Sequence, residues 1–382
     1  MVSNKNKALG VIFPNTYDSM VPELVQERLM ASIPFASRYR MVDFVLSSMV
    51  NSGIDNISLI VHKNYHSLMD HLGAGREWDL TRKNGGLNIV APFAERTSMG
   101  QYKGRVDALA SIIPFLSSQK EKYVVLSDAN IAVNFDYRAL INAHIASGAD
   151  VTIAYREGEI TQKTRESENV AKERYFTYLM DEDQQITKIE INTKDEGLKN
   201  ISLNTYVFNR EFLVEQIQEA GLLGKTQIER DILIPHLGEW KIQGYKYDGY
   251  VACISGIKSY FDENMRLLNE KNLDALFLKN PIYTKVRDDN PTRYIGDAKV
   301  KNSMLADGCI VEGEVENSVI FRGVKIGKGA KVKNCVIMQD TVIEEGVSLE
   351  YVITDKKVHI SANKSLKGEE NYPSFIAKRK TV

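Results

Sequence analysis

The sequence has little cysteine, little net charge and no long apolar segment. Only three of its 382 residues are cysteines, Cys253, Cys309 and Cys335, and their spacing fits neither a metal site nor a disulfide framework. The net charge of −1 provides no general attraction to nucleic acid or to anionic membranes. The apolar run at residues 8–13 is too short for a membrane span or the core of a signal peptide. We therefore expect a cytoplasmic protein with no nucleic-acid or membrane partner.

The first part of the chain alternates between two kinds of apolar pattern. Continuous apolar runs, typical of strands buried on both faces, occur at residues 8–13, 56–62, 123–127, 151–155 and 203–208. Helix-like segments separate them, for example at residues 41–51, 107–118 and 137–147. This alternation predicts an α/β domain over residues 1–278, built on a mostly parallel, doubly wound sheet. Ligands of such folds bind beyond the carboxyl ends of the strands.

The last part of the chain has a different period. Residues 279–298 contain two prolines and mixed charge, which predicts a linker. Beyond it, aliphatic residues recur every six positions in two columns: Ile320, Ile326, Val332 and Met338, and Val324, Ala330, Val336 and Val342. A period of six favours a left-handed parallel β-helix over an ordinary antiparallel sheet. We predict about three coils within residues 299–382, and the polar stretch after Ile360 carries no structural prediction.

Several longer motifs carry a family resemblance. Residues 38–47 (RYRMVDFVLS) with 51–54 (NSGI), 102–108 (YKGRVDA), 202–208 (SLNTYVF) and 308–313 (GCIVEG) are similar to blocks of bacterial ADP-glucose pyrophosphorylases, the glucose-1-phosphate adenylyltransferases. The match extends over nearly the whole chain. It implies a Rossmann-like nucleotidyltransferase domain followed by a left-handed β-helix, in a tetramer that serves bacterial glycogen synthesis.

The activity of that family requires the neutralisation of a triphosphate. A glycine-rich loop brings backbone N–H groups to the phosphates, and two carboxylates hold Mg²⁺. In this chain the corresponding loop, residues 13–21 (FPNTYDSMV), has no glycine, and Asp18 adds negative charge. Met20 stands where the family has an arginine, and Met30 where it has a lysine. The resemblance therefore implies that this chain lacks the loop that would bind the triphosphate.

The metal-binding positions also depart from the family pattern. The first metal-binding aspartate falls on Ala129, although Asp128 stands one residue earlier, and the second falls on Lys258. Arg105 replaces a threonine of the family motif. The two glutamines with which the family recognises adenine correspond to Ala94 and Glu95 in this chain. The glutamate–lysine pair that the family has near the sugar phosphate has no counterpart at residues 190–194. We predict that Mg²⁺ binding is lost and that no cofactor is used.

These departures resemble those of the D-type subunit of Gram-positive ADP-glucose pyrophosphorylases. The resemblance implies a catalytically impaired regulatory subunit that modulates a catalytic partner in a hetero-oligomer, by family analogy a tetramer. Two alternatives stay open. One is an active nucleotidyltransferase with relocated ligands, for which Asp107, Asp128 and Lys103 are available. The other is a hexapeptide-type acyltransferase, for which the β-helix offers only His359.

Four other features have both a functional and a structural interpretation. Arg28 and Arg40 match family arginines near the site for phosphorylated effectors, and salt bridges would explain them equally well. Lys258 could neutralise Asp128 or Asp107, or bind a sugar phosphate; we favour the structural role. The histidines His62, His66 and His71 are expected to be structural, not metal ligands. The charged run at residues 172–174 is expected to form a solvated face.

Overall fold

The computed structural model describes residues 8–91, 102–161 and 175–382. The predictions for Ala94, Glu95 and residues 172–174 lie outside these ranges. The strands of the N-terminal part are β1 (Ala8–Phe13), β2 (Pro34–Phe35), β3 (Tyr39–Arg40), β4 (Asn56–Ile60), β5 (Gly86–Val90), β6 (Tyr123–Asp128), β7 (Ile131–Val133), β8 (Val151–Ile160), β9 (Phe176–Met180), β10 (Ile186–Ile191), β11 (Gly197–Asn209), β12 (Ile242–Lys246) and β13 (Val251–Cys253).

Helices pack around these strands. The α-helices among the described residues are α1 (Met41–Asn51), α2 (His66–Leu72), α3 (Arg105–Ala110), α4 (Ile113–Ser118), α5 (Tyr137–Ser147), α6 (Arg210–Leu222), α7 (Ile257–Arg266) and α8 (Glu270–Phe277). A π-helical turn, Glu229–Leu233, leads into the short 3-10 turn Ile234–His236. Two hydrophobic clusters cover the two sides of the main sheet, so the α/β class predicted from the sequence is confirmed.

The main sheet places two strand ends side by side. Its order is β10-β9-β11-β6-β1-β4-β5, with β8 on β11 and β12 on β8. Strand β1 runs parallel to both β4 and β6, and every residue of β1 and β6 is buried, which explains their continuous apolar runs. Phe13 pairs with Asp128 at the carboxyl ends of β1 and β6. The loop after β1 therefore begins beside Asp128. Strand β11 pairs antiparallel with β6 and with β8.

The C-terminal part is a left-handed parallel β-helix with hexapeptide repeats, as predicted. Its strands are β14 (Arg293–Tyr294), β15 (Lys299–Lys301), β16 (Met304–Leu305), β17 (Ile310–Val311), β18 (Glu314–Glu316), β19 (Val319–Ile320), β20 (Lys325–Ile326), β21 (Lys331–Lys333), β22 (Val336–Ile337), β23 (Val342–Ile343), β24 (Ser348–Glu350), β25 (Val352–Thr354), β26 (His359–Ile360), β27 (Ser365–Lys367) and β28 (Ser374–Ile376). They form three sheets of five strands each.

Several details of the β-helix differ from the sequence-based prediction or add to it. The five-stranded sheets correspond to five coils, so the expected three coils were too few. The first strand, β14, lies inside residues 279–298, which were predicted as linker. The region after Ile360 contributes β27 and β28. Most coils advance 17 residues instead of 18, as where Ile320 pairs with Ile337 and Ile326 with Ile343, but the advance is 15 residues from Leu305 to Ile320 and 22 from Ile353 to Phe375. Ile337, and not Met338, therefore continues the column of Ile320.

The two parts share a hydrophobic core. One buried cluster joins Phe35 and Phe44 of the N-terminal part to Phe321, Val336 and Met338 of the β-helix. All five side chains are at most 3% exposed. Apolar burial of this kind holds two units together more firmly than a polar contact does, because it removes hydrocarbon surface from water. The β-helix thus packs against the nucleotidyltransferase-like part through a shared apolar core.

Candidate functional site

The loop after β1 is closed by its own hydrogen bonds. Residues Asp18–Met20 form a 3-10 turn, and the Asp18 carboxylate accepts a hydrogen bond of 2.7 Å from the backbone N–H of Met30. Burial raises the pKa of Asp18 to about 7. Met30 is 1% exposed and packs in the shared core, and Met20 is partly buried against the same cluster. The loop therefore presents apolar side chains and a carboxyl group where an ATP-binding loop presents backbone N–H groups.

Asp128 and Ala129 lie at the carboxyl end of β6, beside that loop. Ala129 is buried and has no polar side-chain atom to offer a metal. Asp128 is fully buried, and its carboxylate accepts a hydrogen bond of 2.7 Å from the Thr16 hydroxyl. Its second oxygen lies 3.1 Å from the guanidinium of Arg105. The aspartate that could rescue a metal site is thus already bound to a positive charge of the chain itself.

Arg105 is the centre of a buried ion network. Its Nη2 donates to both carboxylate oxygens of Glu229, at 2.7 and 2.5 Å, and its Nη1 contacts Asp128 and, at 3.3 Å, the hydroxyl of Tyr206. The Tyr206 hydroxyl also donates to Glu229. Arg105, Asp128 and Glu229 are all at most 3% exposed. The sequence marked Arg105 as a departure but gave no sign of Glu229, which is 124 residues away.

The charges in this network depend on one another. Burial raises the pKa of Asp128 to about 6, and Arg105 opposes that rise. Burial is the largest single influence and disfavours the charge of Arg105, yet Glu229, Tyr206 and Asp128 act together against it and raise the pKa of Arg105 above its usual range. The guanidinium therefore stays charged and is shared by two carboxylates. A charge shared in this way is held far more strongly than a surface pair, because water does not screen it.

The residues present do not fit a magnesium ion. Mg²⁺ takes oxygen ligands in an octahedral shell and needs carboxylates whose lone pairs are free. The described carboxylates at the end of β6, Asp128 and Glu229, are both bonded to Arg105. Asp107 lies on α3 and accepts a hydrogen bond of 3.0 Å from the backbone N–H of Lys103. The relocated pair Asp107 and Asp128 is therefore engaged in two separate contacts, not in one site.

Lys258 does not neutralise Asp128 or Asp107, and that expectation was wrong. It lies near the start of α7 and forms an ion pair with Asp262, one helical turn further on. Both side chains are partly exposed, at 28% and 44%. The spacing of four residues places them on one face of the helix, and this contact is local. Arg105 supplies the positive charge that was assigned to Lys258.

We expect the substitution Lys258→Asp to have little effect. It restores the carboxylate of the family at this position, but Arg105 still holds Asp128 and Glu229. An exposed pair at i and i+4 contributes only about 0.3–0.5 kcal/mol, so the free energy of unfolding should change by less than about 1 kcal/mol. Urea unfolding and an assay for ADP-glucose measure both effects. A gain of turnover from this single change would contradict the interpretation that Arg105 keeps Asp128 and Glu229 from binding a metal.

Arg28 joins the two parts of the molecule. It is 2% exposed and forms a bidentate ion pair with Asp355 of the β-helix, at 2.7 and 2.9 Å. Of the two interpretations of Arg28, the interdomain salt bridge is the one observed. Arg28 does not line the cavity in which Arg40 lies. An effector role therefore depends on Arg40 and its neighbours.

Arg40 lines a cavity of about 330 Å³ between the two parts. Its guanidinium donates to the backbone oxygen and hydroxyl of Ser67, at 2.6 and 3.0 Å, which fixes its direction. Burial lowers the pKa of Arg40 to about 10. The cations that line this cavity, the basic pocket from here on, are Arg38, Arg40, Lys285, Arg287, Arg322 and Lys356.

The basic pocket is lined by more cations than carboxylates, although Arg38 and Arg287 also pair with Asp307 and Asp289 outside the lining. Asp70 is the one carboxylate in its described lining, at 3.3 Å from Lys285. Burial, together with Arg40 and Arg28, lowers the pKa of Lys356 well below its usual value. The Nε of Arg322 is buried, with no hydrogen-bond partner among the described residues. Crowded cations with an open donor favour a polyanionic ligand such as a phosphate ester.

His71 and His62 pack against neighbouring side chains, and His66 is exposed at the start of α2. His71 Nε2 lies 2.6 Å from a carboxylate oxygen of the buried Asp43, and the ring packs edge-on against Trp78. His62 packs near Tyr102. Within residues 8–91, 102–161 and 175–382, no three His, Cys, Asp or Glu side chains are grouped to hold a metal. His359, the residue that an acyltransferase would need, is partly exposed and lies 2.7 Å from Glu344.

Comparisons with known proteins place this geometry in a family. A nucleotidyl transferase model matches residues 24–220, and a GlmU-like C-terminal hexapeptide model matches residues 286–371. The "Glycogen biosynthesis protein GlgD" of Bacillus subtilis is 34% identical over 98% of this chain and 96% of its own. The chain is a D-type member of the ADP-glucose pyrophosphorylase family.

Other relatives also match most of this chain. The "Glycogen biosynthesis protein GlgD" of Geobacillus stearothermophilus is 38% identical over 86% of this chain and 83% of its own. A "Glucose-1-phosphate adenylyltransferase" of Bacillus mycoides is 27% identical over 98% of both chains. This D-type pyrophosphorylase homologue has, in its described residues, no helix both long and apolar enough to cross a membrane.

Proposed function

We propose that this chain is a catalytically impaired regulatory subunit of glucose-1-phosphate adenylyltransferase, in the cytoplasm, in glycogen biosynthesis. It modulates a catalytic partner that makes ADP-glucose from ATP and glucose 1-phosphate, in a hetero-oligomer that we expect to be a tetramer. One observation carries the proposal: Arg105 binds both buried carboxylates at the end of β6. Adenylyl transfer depends on cations that neutralise the phosphates, and every carboxylate oxygen of this pair already accepts a hydrogen bond from within the chain.

The alternative of an active enzyme with relocated ligands has less support. Asp128 is bonded to Arg105, and Asp107 to the backbone of residue 103. The loop after β1 adds the carboxyl group of Asp18, whose pKa is about 7 and whose ionised form an approaching triphosphate would meet as a like charge. Loss of one preorganised donor alone costs about 2.7–4 kcal/mol of transition-state stabilisation, and several are replaced here.

The basic pocket supports the regulatory half of the proposal. It lies at the boundary of the two parts, next to the buried Arg28–Asp355 pair. Lys356, which lines the pocket, follows Asp355 directly in the chain. A phosphorylated sugar bound there would change the charges on both sides of the domain boundary. We propose such an effector as the ligand, with Arg40, Arg322 and Lys356 as its principal contacts.

Co-expression with the catalytic subunit tests the proposed function. The purified complex and the catalytic subunit alone are compared for maximal rate and for the concentration of glucose 6-phosphate or inorganic phosphate that gives half of the effect. We expect the two chains to co-purify and the complex to differ in rate or in effector response. Absence of association, with identical kinetics, would contradict the proposal.

Arg322→Ala is expected to weaken the effector response of that complex. A hydrogen bond to a charged group is worth about 1.5–3 kcal/mol, so the half-effect concentration should rise by about 10- to 100-fold. Lys299→Ala is the matched control, because Lys299 is an exposed β-helix cation outside the pocket, paired with Glu314. Equal responses of the two variants, both shifted or both unchanged, would count against the basic pocket as the effector site.

A further inference from the structure

The buried ion network at the end of β6 has the oxygen donors of a divalent-cation site, with the Arg105 guanidinium in the place of the cation. Its oxygen atoms come from Asp128, Glu229, Thr16 and Tyr206, and these groups are linked through Arg105 or by direct hydrogen bonds. Two carboxylates with two neutral oxygens form a donor set suited to a hard cation. The guanidinium of Arg105 takes the lone pairs that such an ion would use.

We propose that Arg105 is an internal counter-cation that substitutes for a metal ion, so that removal of its side chain converts Asp128 and Glu229 into a divalent-cation site. This inference rests on the proposed loss of catalysis but concerns its cause. The metal position between Asp128 and Glu229 is filled by the Arg105 side chain, in addition to the loss of metal ligands elsewhere. Both carboxylates are fully buried, and a buried carboxylate without a positive partner is strongly disfavoured. The network therefore needs a cation, and Arg105 supplies it.

Several contacts hold the Arg105 side chain in its position between the two carboxylates. It lies in the first turn of α3, where Gly104 precedes it and the backbone N–H of Val106 is bonded to Thr226. The guanidinium also lies 5.6 Å from the ring centre of Tyr206 and 5.9 Å from that of Phe176. Aromatic faces stabilise a buried cation further. The side chain is thus held by ion pairs, hydrogen bonds and ring contacts together.

The test uses terbium, which replaces Ca²⁺ and is sensitised by nearby tyrosine. Tyr206 touches the network directly, so Tb³⁺ bound there should emit when tyrosine is excited. We expect full-length Arg105→Ala to bind one equivalent of Tb³⁺, with emission at least about tenfold above that of the parent chain. Excess Mn²⁺ should compete and should raise the melting temperature of this variant alone.

Three further variants serve as controls. Arg105→Lys keeps a positive charge and should bind no Tb³⁺. The double variant Arg105→Ala/Glu229→Gln removes one carboxylate and should lose most of the gained emission. Arg28→Ala removes an equally buried arginine from a pair with a single carboxylate, Asp355, and should gain no site. These measurements use the isolated chain, so their failure is distinct from a failure of partner regulation.

Two results obtained with folded protein would overturn the proposal. One is a folded Arg105→Ala variant with no more sensitised emission than Arg28→Ala. The other is one equivalent of Tb³⁺ bound by the parent chain and lost on Glu229→Gln. If Arg105→Ala folds only when Mn²⁺ is present, the proposal is supported. If it fails with and without Mn²⁺ while the double variant folds, the carboxylates do not accept a metal and the proposal is wrong.

Discussion

Arg105→Ala is expected to destabilise the chain by about 3–5 kcal/mol at neutral pH, the usual effect of removing one partner of a buried ion pair. The substitution leaves Asp128 and Glu229 buried without their shared cation. Urea unfolding followed by circular dichroism measures the change. Arg105→Lys, which keeps the charge but not the fork of donors, should recover part of the loss. A variant as stable as the parent would show that the network contributes nothing to folding.

The effect should depend on pH in a defined direction. In the parent, the pKa of Asp128 is raised to about 6, above its ordinary value of 3.8, even with Arg105 beside it. Without Arg105 it rises further, so the folded state holds a proton that the unfolded state has released. Stability then falls as pH rises through this window. The gap between variant and parent should therefore be smaller at about pH 5 than at about pH 8. A gap that widens on acidification would contradict this account.

Arg28→Ala is expected to loosen the two parts of the molecule from each other. It leaves Asp355, 4% exposed, without its bidentate partner, at a cost of about 3 kcal/mol. Because the pair lies on the boundary between the two parts, the β-helix and the α/β part of the variant should unfold in two separate transitions in differential scanning calorimetry. Two-state behaviour fails when coupled units come apart.

Two comparison variants sharpen this second prediction. Arg28→Met with Asp355→Leu replaces the pair by apolar side chains and should recover most of the stability, since no charge stays buried alone. Arg138→Ala removes an exposed arginine, 66% accessible at its side chain and 3.9 Å from Asp136, and should change stability by less than about 0.5 kcal/mol. If Arg28→Ala behaves like Arg138→Ala, the pair does not couple the two parts.

The sequence predicted the fold classes because each has a local period. The six-residue recurrence around Ile326 is typical of a β-helix, and it predicted one. It missed the number of coils because β14 lies in the stretch predicted as linker, and because β27 and β28 follow Ile360, where no period was recognised. In the α/β part, buried parallel strands produce continuous apolar runs that are recognisable without a structure.

The site could be predicted only where its residues are close in the sequence or where a family residue is visibly replaced. The absence of glycine after β1 and the presence of Arg105 could be read directly from the residues. Glu229 could not, because it meets Arg105 from 124 residues away and no motif singles it out. Lys258 was assigned to the wrong carboxylate, although its true partner, Asp262, stands at the helical spacing of four residues. The basic pocket also combines distant segments, so only Arg40 of its cations was singled out in advance.

The central claim, that this chain cannot use a magnesium-bound triphosphate, is tested most directly by assaying it alone. The purified chain is incubated with ATP, glucose 1-phosphate and Mg²⁺, beside the catalytic subunit at the same concentration, and pyrophosphate and ADP-glucose are measured. Several lost contacts of about 2.7–4 kcal/mol each predict a rate at least about a thousandfold below that of the catalytic subunit. Robust turnover by the isolated chain, abolished by Asp128→Asn, would contradict the account.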